Sequence, residues 1–548
     1  MTVVGTCWRG WGGLDRVMTA PRRGSRVLHV MIALAAVLIF GPTPKLHAQD
    51  VRGSAYAVDA ARAVSARHGM VVAQERLAAE IGADILRRGG NAVDAAVATG
   101  FAMAVTYPRA GNIGGGGFML IHRAGGEAIA IDYRETAPAA ATRDMFIGAD
   151  GRPDPALSRD SALGIGVPGT VAGLALALEK YGSGRFTLRE ILTPAIALAR
   201  DGIAVTDDIA DTLPRWHKRL ARWPASQRLF SRADGTPLVE GDRLVQADLA
   251  ATLESIAANG PRGFYEGPVA ARLVQGIRAA GGIMTEEDLR SYRPVIRTPV
   301  RGRYRGHDII SMPLPSSGGI VLIESLNILE GFDLAAMKPG APATLHLVIE
   351  AMKRAYADRA RYLGDPAFAD APLERLLSKD YAARQRATVD PERATPAAAI
   401  AALAAPSDGG DNTTHFSVVD ADGNAVSNTY TLNFSYGVGL VAEGTGVLLN
   451  NELDDFTAAP GASNAYGLVG YAANLPGPGK RPLSSMTPTI VLKDGRVVLV
   501  TGSPGGSRIS SAVLQVIVNV LDHRMDVMAA IARPRLHHQW LPDEARVE

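Results

Sequence analysis

Apolar and polar positions alternate along this chain with two distinct periods, helical in the first three quarters and strand-like near the end. In "QERLAAEIGADILRRGG", Leu77, Ile81 and Ile85 fall on one face of a helix that stops at Gly89-Gly90. Asn91 is placed to cap "AVDAAVATGFAMAVTYP", where Val93, Val97 and Ala104 keep helical spacing up to Pro108. "GFMLIHRAGGEAIAIDYR" reads as two strands about a Gly125-Gly126 turn, with Arg134 at the exit. From about 170 to 400 the pattern is mostly helical, broken by loops such as "PLPSSGGI". "AAAIAALAAPSDGGDN" (397–412) is Ala-rich and then polar, an exposed connection by composition. Beyond it, "HFSVVD" and "AVSNTYTLN" flank Asp422-Gly423, and "PTIVL" and "RVVLV" flank Asp494-Gly495, two hairpin signals. "SRISSAVLQVIVNVLD" then predicts a helix with Ile509, Val513, Ile517 and Val520 or Leu521 on one face. No repeat and no linker divides the chain into independent units.

The N-terminus departs from both periods. Arg22, Arg23 and Arg26 precede an apolar run from Val30 to Phe40, then Pro42, Pro44 and "KLHAQD". That order predicts a secretory signal over 1–48, cleaved after Ala48, with Met18 an alternative start; the run is short for a bilayer span. The expectation is a periplasmic or secreted protein without a stable membrane anchor. Cys7 is the one cysteine and lies inside this segment, so the mature chain has no thiol for catalysis or disulfides.

Charge and size narrow the class. A formal charge of +2 over 548 residues, with both signs interspersed, gives no electrostatic reason to expect nucleic acid as a partner. An apolar fraction of 47% supports a large core.

Several stretches carry candidate chemistry. In "TGSPGGSRISS" a strand ending at Thr501 meets Gly505-Gly506 and a helix, so two amides at a helix N-terminus can stabilise an oxyanion, or the pair is a plain turn. Thr501 occupies the first glycine position of a G-x-S-x-G elbow, which excludes that motif. "GNIGGGGF" leads from a helix into a strand, the reverse of a dinucleotide-binding order. His537-His538 has no third ligand at zinc spacing and reads as a pair of surface or packing histidines. "NNELDDF" ends a strand with Glu452, Asp454 and Asp455 clustered, and "RPLSSMTP" offers Ser484 and Ser485. Singly these are an acidic turn and a polar loop. Combined with Arg134 they would make a trap for a zwitterion, with cation and hydroxyls for a carboxylate and carboxylates for an ammonium.

"DNTTHFSVVD" poses the last question, because Thr413 and Thr414 precede a strand and threonine is a weak nucleophile. An N-terminal threonine gains a base in its own α-amine, whose ordinary pKa of roughly 7.7–8.0 suits neutral pH. An internal one acquires it only by cleavage of the preceding bond.

"TTHFSVVDADGNAVSNTYTLN", "GTGVLLNNELDDF", "KRPLSSMTPTIV", "TGSPGGSRI", "PRLHHQWLPDE" and "AGNIGGGGFM" with "IDYRETAP" closely resemble the γ-glutamyltranspeptidases, members of the N-terminal-nucleophile hydrolase superfamily. The resemblance runs from about residue 55 to the end. It implies an α+β fold, a four-layer αββα sandwich, forming one structural unit from two autoprocessed subunits. These would be a large subunit of 49–412 and a small one of 413–548, held as a heterodimer. By position, Asn412 and Thr413 flank the cleavage site, Thr413 is the nucleophile and Thr431 its hydrogen-bonding neighbour. Gly505 and Gly506 supply the oxyanion amides. Arg134, Ser484 and Ser485 hold the α-carboxylate of a γ-glutamyl group, and Asn433, Glu452 and Asp455 its α-ammonium. Tyr466, in the lid-like "PGASNAYGLVG" (460–470), closes against Asn433. The implied substrates are glutathione and other γ-glutamyl compounds, with water, amino acids or dipeptides as acceptors, and the implied chemistry needs no metal or cofactor. Family members usually continue past the position of "EARVE" with a further β-rich segment, so this is either a fragment or an abbreviated small subunit. The competing expectations are a cephalosporin or glutaryl acylase of the same superfamily, and an unmatured, non-catalytic proenzyme.

Overall fold

The computed structural model describes residues 63–400 and 413–548. The expected signal segment, Met18, Cys7 and Asn412 lie outside them. Ten strands form two antiparallel sheets. The larger runs in the order Gly69–Val72, Thr414–Asp420, Ala425–Thr431, Gly116–His122, Ala128–Tyr133, Val295–Arg297, and the smaller in the order Arg496–Thr501, Thr489–Lys493, His307–Ser311, Val300–Tyr304. Both expected hairpins form, and so does the pair of strands about Gly125-Gly126.

Strands from before residue 400 pair with strands from after 413 in each sheet. Val71 stands opposite Val418, Ser427 opposite Leu120, and Ile490 opposite Ile310. The two portions therefore share one core, and neither could be lifted out without breaking ladders of the other.

Burial on both faces explains why these strands are apolar nearly throughout. Phe118, Leu120 and Ala130 of the larger sheet join Ile310, Ile490 and Val500 of the smaller in one cluster. Their neighbours Met119, Ile121 and Ile131 point the other way, onto the helices Ala92–Thr106 and Thr170–Tyr181. The far face of the smaller sheet, with Ile309, Val491 and Leu499, packs on the helices Gly318–Leu329, Pro342–Tyr362 and Ile509–Leu521. Phe118→Ala would open a void in the cluster between the sheets and cost about 3–5 kcal/mol.

Asn91 caps its helix as expected, in a reciprocal box with Asp94. The preceding helix, Arg76–Arg87, turns a different face inward from the one its large apolar residues suggest. Ala78, Gly82 and Ile85 are buried while Leu77 is exposed. A side chain at Gly82 would meet Thr99 Oγ1 at 2.2 Å, so close helix approach, rather than residue size, selects that face. The helical middle also contains the strands Val295–Arg297, Val300–Tyr304 and His307–Ser311 of the two main sheets, and a short pair, Ile203–Ala204 with Arg243–Leu244. Val300–Tyr304 is a sheet edge whose outward positions are Arg301 and Arg303, which hides its period and guards the edge. Ala397, expected in an exposed connection, is buried instead. Its carbonyl accepts from the Trp540 indole at 3.0 Å and its N–H donates to Asp543 at 2.9 Å. Among the described residues no helix is long and apolar enough to cross a membrane.

Candidate active site

Thr413 stands immediately before the strand Thr414–Asp420, second from one edge of the larger sheet, and only 3% of it is exposed. The two threonines are not equivalent. Thr414 Oγ1 donates to Gln74 at 2.6 Å, tying the strand to the segment before the first long helix. Thr413 instead lines a small cavity with Arg134, Thr431, Asn433, Glu452, Asp455, Tyr466, Ser484, Ser485, Met486, Gly506 and Ile509. Residues scattered over 134–509 thus converge on one cavity.

His415, two residues on, is no base for that hydroxyl. Its Nδ1 pairs with Thr429 Oγ1 at 2.8 Å and its Nε2 with Ser417 Oγ at 2.9 Å, so both ring nitrogens are engaged. Burial lowers its pKa to about 3 and keeps the ring neutral.

The glycines after Thr501 are built as that segment suggested, with an added 3-10 turn. Gly505 has φ 127° and Gly506 φ 56°, backbone that glycine alone adopts freely. Gly506–Arg508 forms the turn, and Ile509–Leu521 continues as helix. Gly506 is covered by an aromatic ring. The Tyr466 ring lies so close to Gly506 that a Cβ there would sit 2.3 Å from it. The Tyr466 hydroxyl donates to the Asn433 carbonyl at 2.7 Å, closing this side of the cavity.

The charged groups are arranged otherwise than a two-ended trap suggests. Arg134 emerges from the strand Ala128–Tyr133, fully buried, and its guanidinium bonds both Glu452 and, at 2.5 Å, Asp455. Its Nε donates to the Pro482 carbonyl at 3.1 Å. The cation and the two acidic side chains therefore bond one another. Burial alone would lower the Arg134 pKa, and Glu452, Asp455 and Glu135 outweigh it, so the guanidinium stays charged. Burial raises Glu452 to about 8 against the attraction of Arg134, and Asp455 shifts up for the same reason.

"NNELDDF" is not a strand end. Glu452–Asp455 forms a 3-10 turn, and the preceding asparagines do a ladder's work with their side chains. Asn450 Nδ2 donates to Gly114 and Gly166 at 2.8 and 2.9 Å. Asn433 Nδ2 donates to the Asn451 carbonyl at 2.9 Å, so that amide is already engaged. Of the two serines, Ser484 accepts from Met486 N at 3.1 Å, whereas Ser485 Oγ is buried without a protein partner.

Sequence reasoning missed two charged neighbours. Glu135, adjacent to Arg134 in "DYRETAP", is fully buried, its carboxyl oxygens without a hydrogen bond and Oε2 3.9 Å from the Arg134 guanidinium, and burial and then Glu452 raise its pKa well above the carboxylate range. Arg359 donates to Ser317 at 3.0 Å, and Ser317 Oγ donates in turn to the Ser484 carbonyl at 2.7 Å. Adjacency to Arg134 could have flagged Glu135; nothing local flags Arg359. His537 and His538 are packing residues. His537 is buried between Ser511 and Gln539, at 2.7 and 2.8 Å, and His538 faces Asp543 at 3.3 Å.

Comparison with known proteins decides the family. The family model for gamma-glutamyltranspeptidase matches residues 78–548. The chain belongs to the γ-glutamyltranspeptidase family. It is 52% identical to the glutathione hydrolase proenzyme of Escherichia coli (strain K12) over 485 residues, 88% of this chain and 83% of that protein. It is 40% identical to the acylase ACY 1 proenzyme of Pseudomonas sp. (strain SE83) over 480 residues, 86% of this chain and 83% of that one. Among solved structures, the γ-glutamyltranspeptidase of Helicobacter pylori is 46% identical with a TM-score of 0.60, covering 61% of this chain and 95% of that chain.

Proposed function

We propose that this γ-glutamyltranspeptidase cuts its own chain between Asn412 and Thr413 and then uses Thr413 to cleave the γ-glutamyl amide of glutathione and related compounds. Glutathione hydrolysis is what the 52% identical relative is named for. The observation that carries the reading is the convergence of Thr413 with Arg134, Glu452, Asp455 and the left-handed Gly506 around one cavity.

The steps follow from the groups present. In the matured protein the Thr413 α-amine takes the hydroxyl proton as Oγ attacks the γ-carbonyl. Charge grows on that carbonyl oxygen, and the amides of Gly505 and Gly506 receive it. The proton passes to the leaving nitrogen, the C–N bond breaks and cysteinylglycine departs from glutathione. A γ-glutamyl ester on Thr413 remains. Water, or the amine of an amino acid or dipeptide, then attacks the ester and restores the hydroxyl. Thr431 steadies Thr413.

Arg134 spends three of its five N–H groups on Pro482, Glu452 and Asp455. Two remain for the substrate α-carboxylate beside Ser484 and Ser485, and the α-ammonium lies between Glu452 and Asp455 with Asn433. A cavity of about 20 Å³ has room for little more than a water, so Tyr466 and its loop move aside to admit the donor. An acylase would accept a side chain without an ammonium. Two buried carboxylates facing the nucleophile argue against that preference, as does the lower identity to the acylase, 40% against 52%.

The helix, sheet, sheet and helix clusters support a four-layer αββα sandwich. Shared ladders support a heterodimer of 49–412 and 413–548 that stays assembled after the cut. Residues 1–48 would direct the proenzyme to the periplasm or out of the cell. N-terminal sequencing tests the reading: the smaller of two bands should begin at Thr413, and Thr413→Ala should leave one inactive chain. Two bands from Thr413→Ala, the smaller starting at 413, would sink it.

A further inference from the structure

Arg134 is fixed through its backbone as well as its side chain. Its N–H donates to Asp132 Oδ1 at 2.9 Å, while Asp132 Oδ2 is held by Arg297 at 2.8 Å. Its carbonyl accepts from the Tyr292 hydroxyl at 2.8 Å. Tyr292 arrives from a separate element, one residue beyond the helix Glu286–Ser291. Its ring stacks on Tyr265, with centroids 5.9 Å apart and planes at 10°, so the hydroxyl has little freedom to point elsewhere. Burial pushes that hydroxyl's pKa up, which keeps it protonated and a donor. The path to Arg134 exists because position 169 is glycine: a Cβ there would lie 2.2 Å from the Tyr292 oxygen.

We propose that Tyr292 is a positioning residue for the γ-glutamyl donor, fixing the Arg134 backbone so that the guanidinium meets the substrate α-carboxylate in register. The proposal rests on the reading of Arg134 as the carboxylate-binding residue. It separates Tyr292 from Tyr265, a buried partner in the same stack whose hydroxyl donates to the Pro168 carbonyl at 2.9 Å instead. Losing the first hydroxyl loosens Arg134; losing the second does not.

The experiment compares matured Tyr292→Phe, Tyr265→Phe, Arg134→Lys and the double variant Tyr292→Phe/Arg134→Lys on γ-glutamyl-p-nitroanilide. Tyr292→Phe keeps the ring and removes one hydrogen bond, so its KM should rise about three- to tenfold with kcat nearly unchanged. Tyr265→Phe should keep the wild-type KM. In the double variant the KM should be close to that of Arg134→Lys alone, because the tyrosine acts through a side chain already replaced. An unchanged KM in Tyr292→Phe, an equal rise in Tyr265→Phe, or fully multiplicative effects in the double variant would overturn the proposal. An unchanged KM in Arg134→Lys would instead overturn the underlying reading of Arg134. Asp132→Asn weakens the bond to the Arg134 N–H from the other side and is expected to raise KM as well. It decides the matter if Tyr292→Phe does not fold, and an unchanged KM there would count against the proposal.

Discussion

The Asn464 side-chain amide donates to Asp455 Oδ1 at 2.9 Å, while Arg134 holds the other oxygen of the same carboxylate at 2.5 Å. Asn464 belongs to the loop that carries Tyr466, and its own side-chain oxygen accepts from the Tyr466 and Leu468 amides at 3.0 and 3.1 Å. One carboxyl group therefore joins the cavity lining to the loop that covers it. Asn464→Ala removes this tie, and a bond to a charged group is worth about 1.5–3 kcal/mol. The KM for γ-glutamyl donors should rise about tenfold or more, with self-cleavage intact. Steady-state kinetics on the two-chain protein will check this, and a wild-type KM would show that the loop closes without Asp455.

Glu452 sets a pH dependence whose direction follows from its raised pKa. Below about 8 it carries a proton and offers the α-ammonium no charge; above that it is a carboxylate. Donor kcat/KM should climb through this range, and Glu452→Gln should flatten the part of the rise that comes from KM while leaving the Thr413 amine's contribution to kcat. Stability runs the opposite way. The folded protein keeps a proton that the unfolded chain releases near the ordinary value of 4.5, so stability falls as pH rises from there to about 8. In Glu452→Gln this contribution to the slope of a chemical denaturation series should vanish; an unchanged slope would show that the carboxyl ionises normally.

Gly506→Ala should reduce kcat about 10²–10³-fold if its amide faces the tetrahedral intermediate. The added methyl would also strike the Tyr466 ring, so the variant is best made in a Tyr466→Ala background as well. Persistence of the kcat loss there would assign it to the amide. Recovery would assign it to the displaced ring, and a matured Gly506→Ala protein with wild-type kcat would reduce the segment to a turn.

The sheets were legible because period-two runs and Asp-Gly turns report local geometry, and both hairpins lie where those signals put them. The edge strand Val300–Tyr304 was not, because its outward arginines serve the sheet edge and break the apolar alternation. At the site, motif matching gathered Thr413, Arg134, Glu452, Asp455, Ser484, Ser485 and Tyr466, and the fold brings them to one cavity. Their pairing could not be read from one dimension: Arg134 bonds the carboxylates first assigned to the opposite end of a ligand. The contacts that tie Asn464, Tyr292 and Arg359 to this region run across elements and leave no local pattern.

The most direct test of the account is a covalent one. Matured enzyme mixed with a γ-glutamyl donor, quenched in acid during turnover and mapped by mass spectrometry should carry one γ-glutamyl group on the peptide that begins at Thr413, attached through the side-chain oxygen. A γ-glutamyl group on any other residue, or steady turnover with none on Thr413, would contradict it.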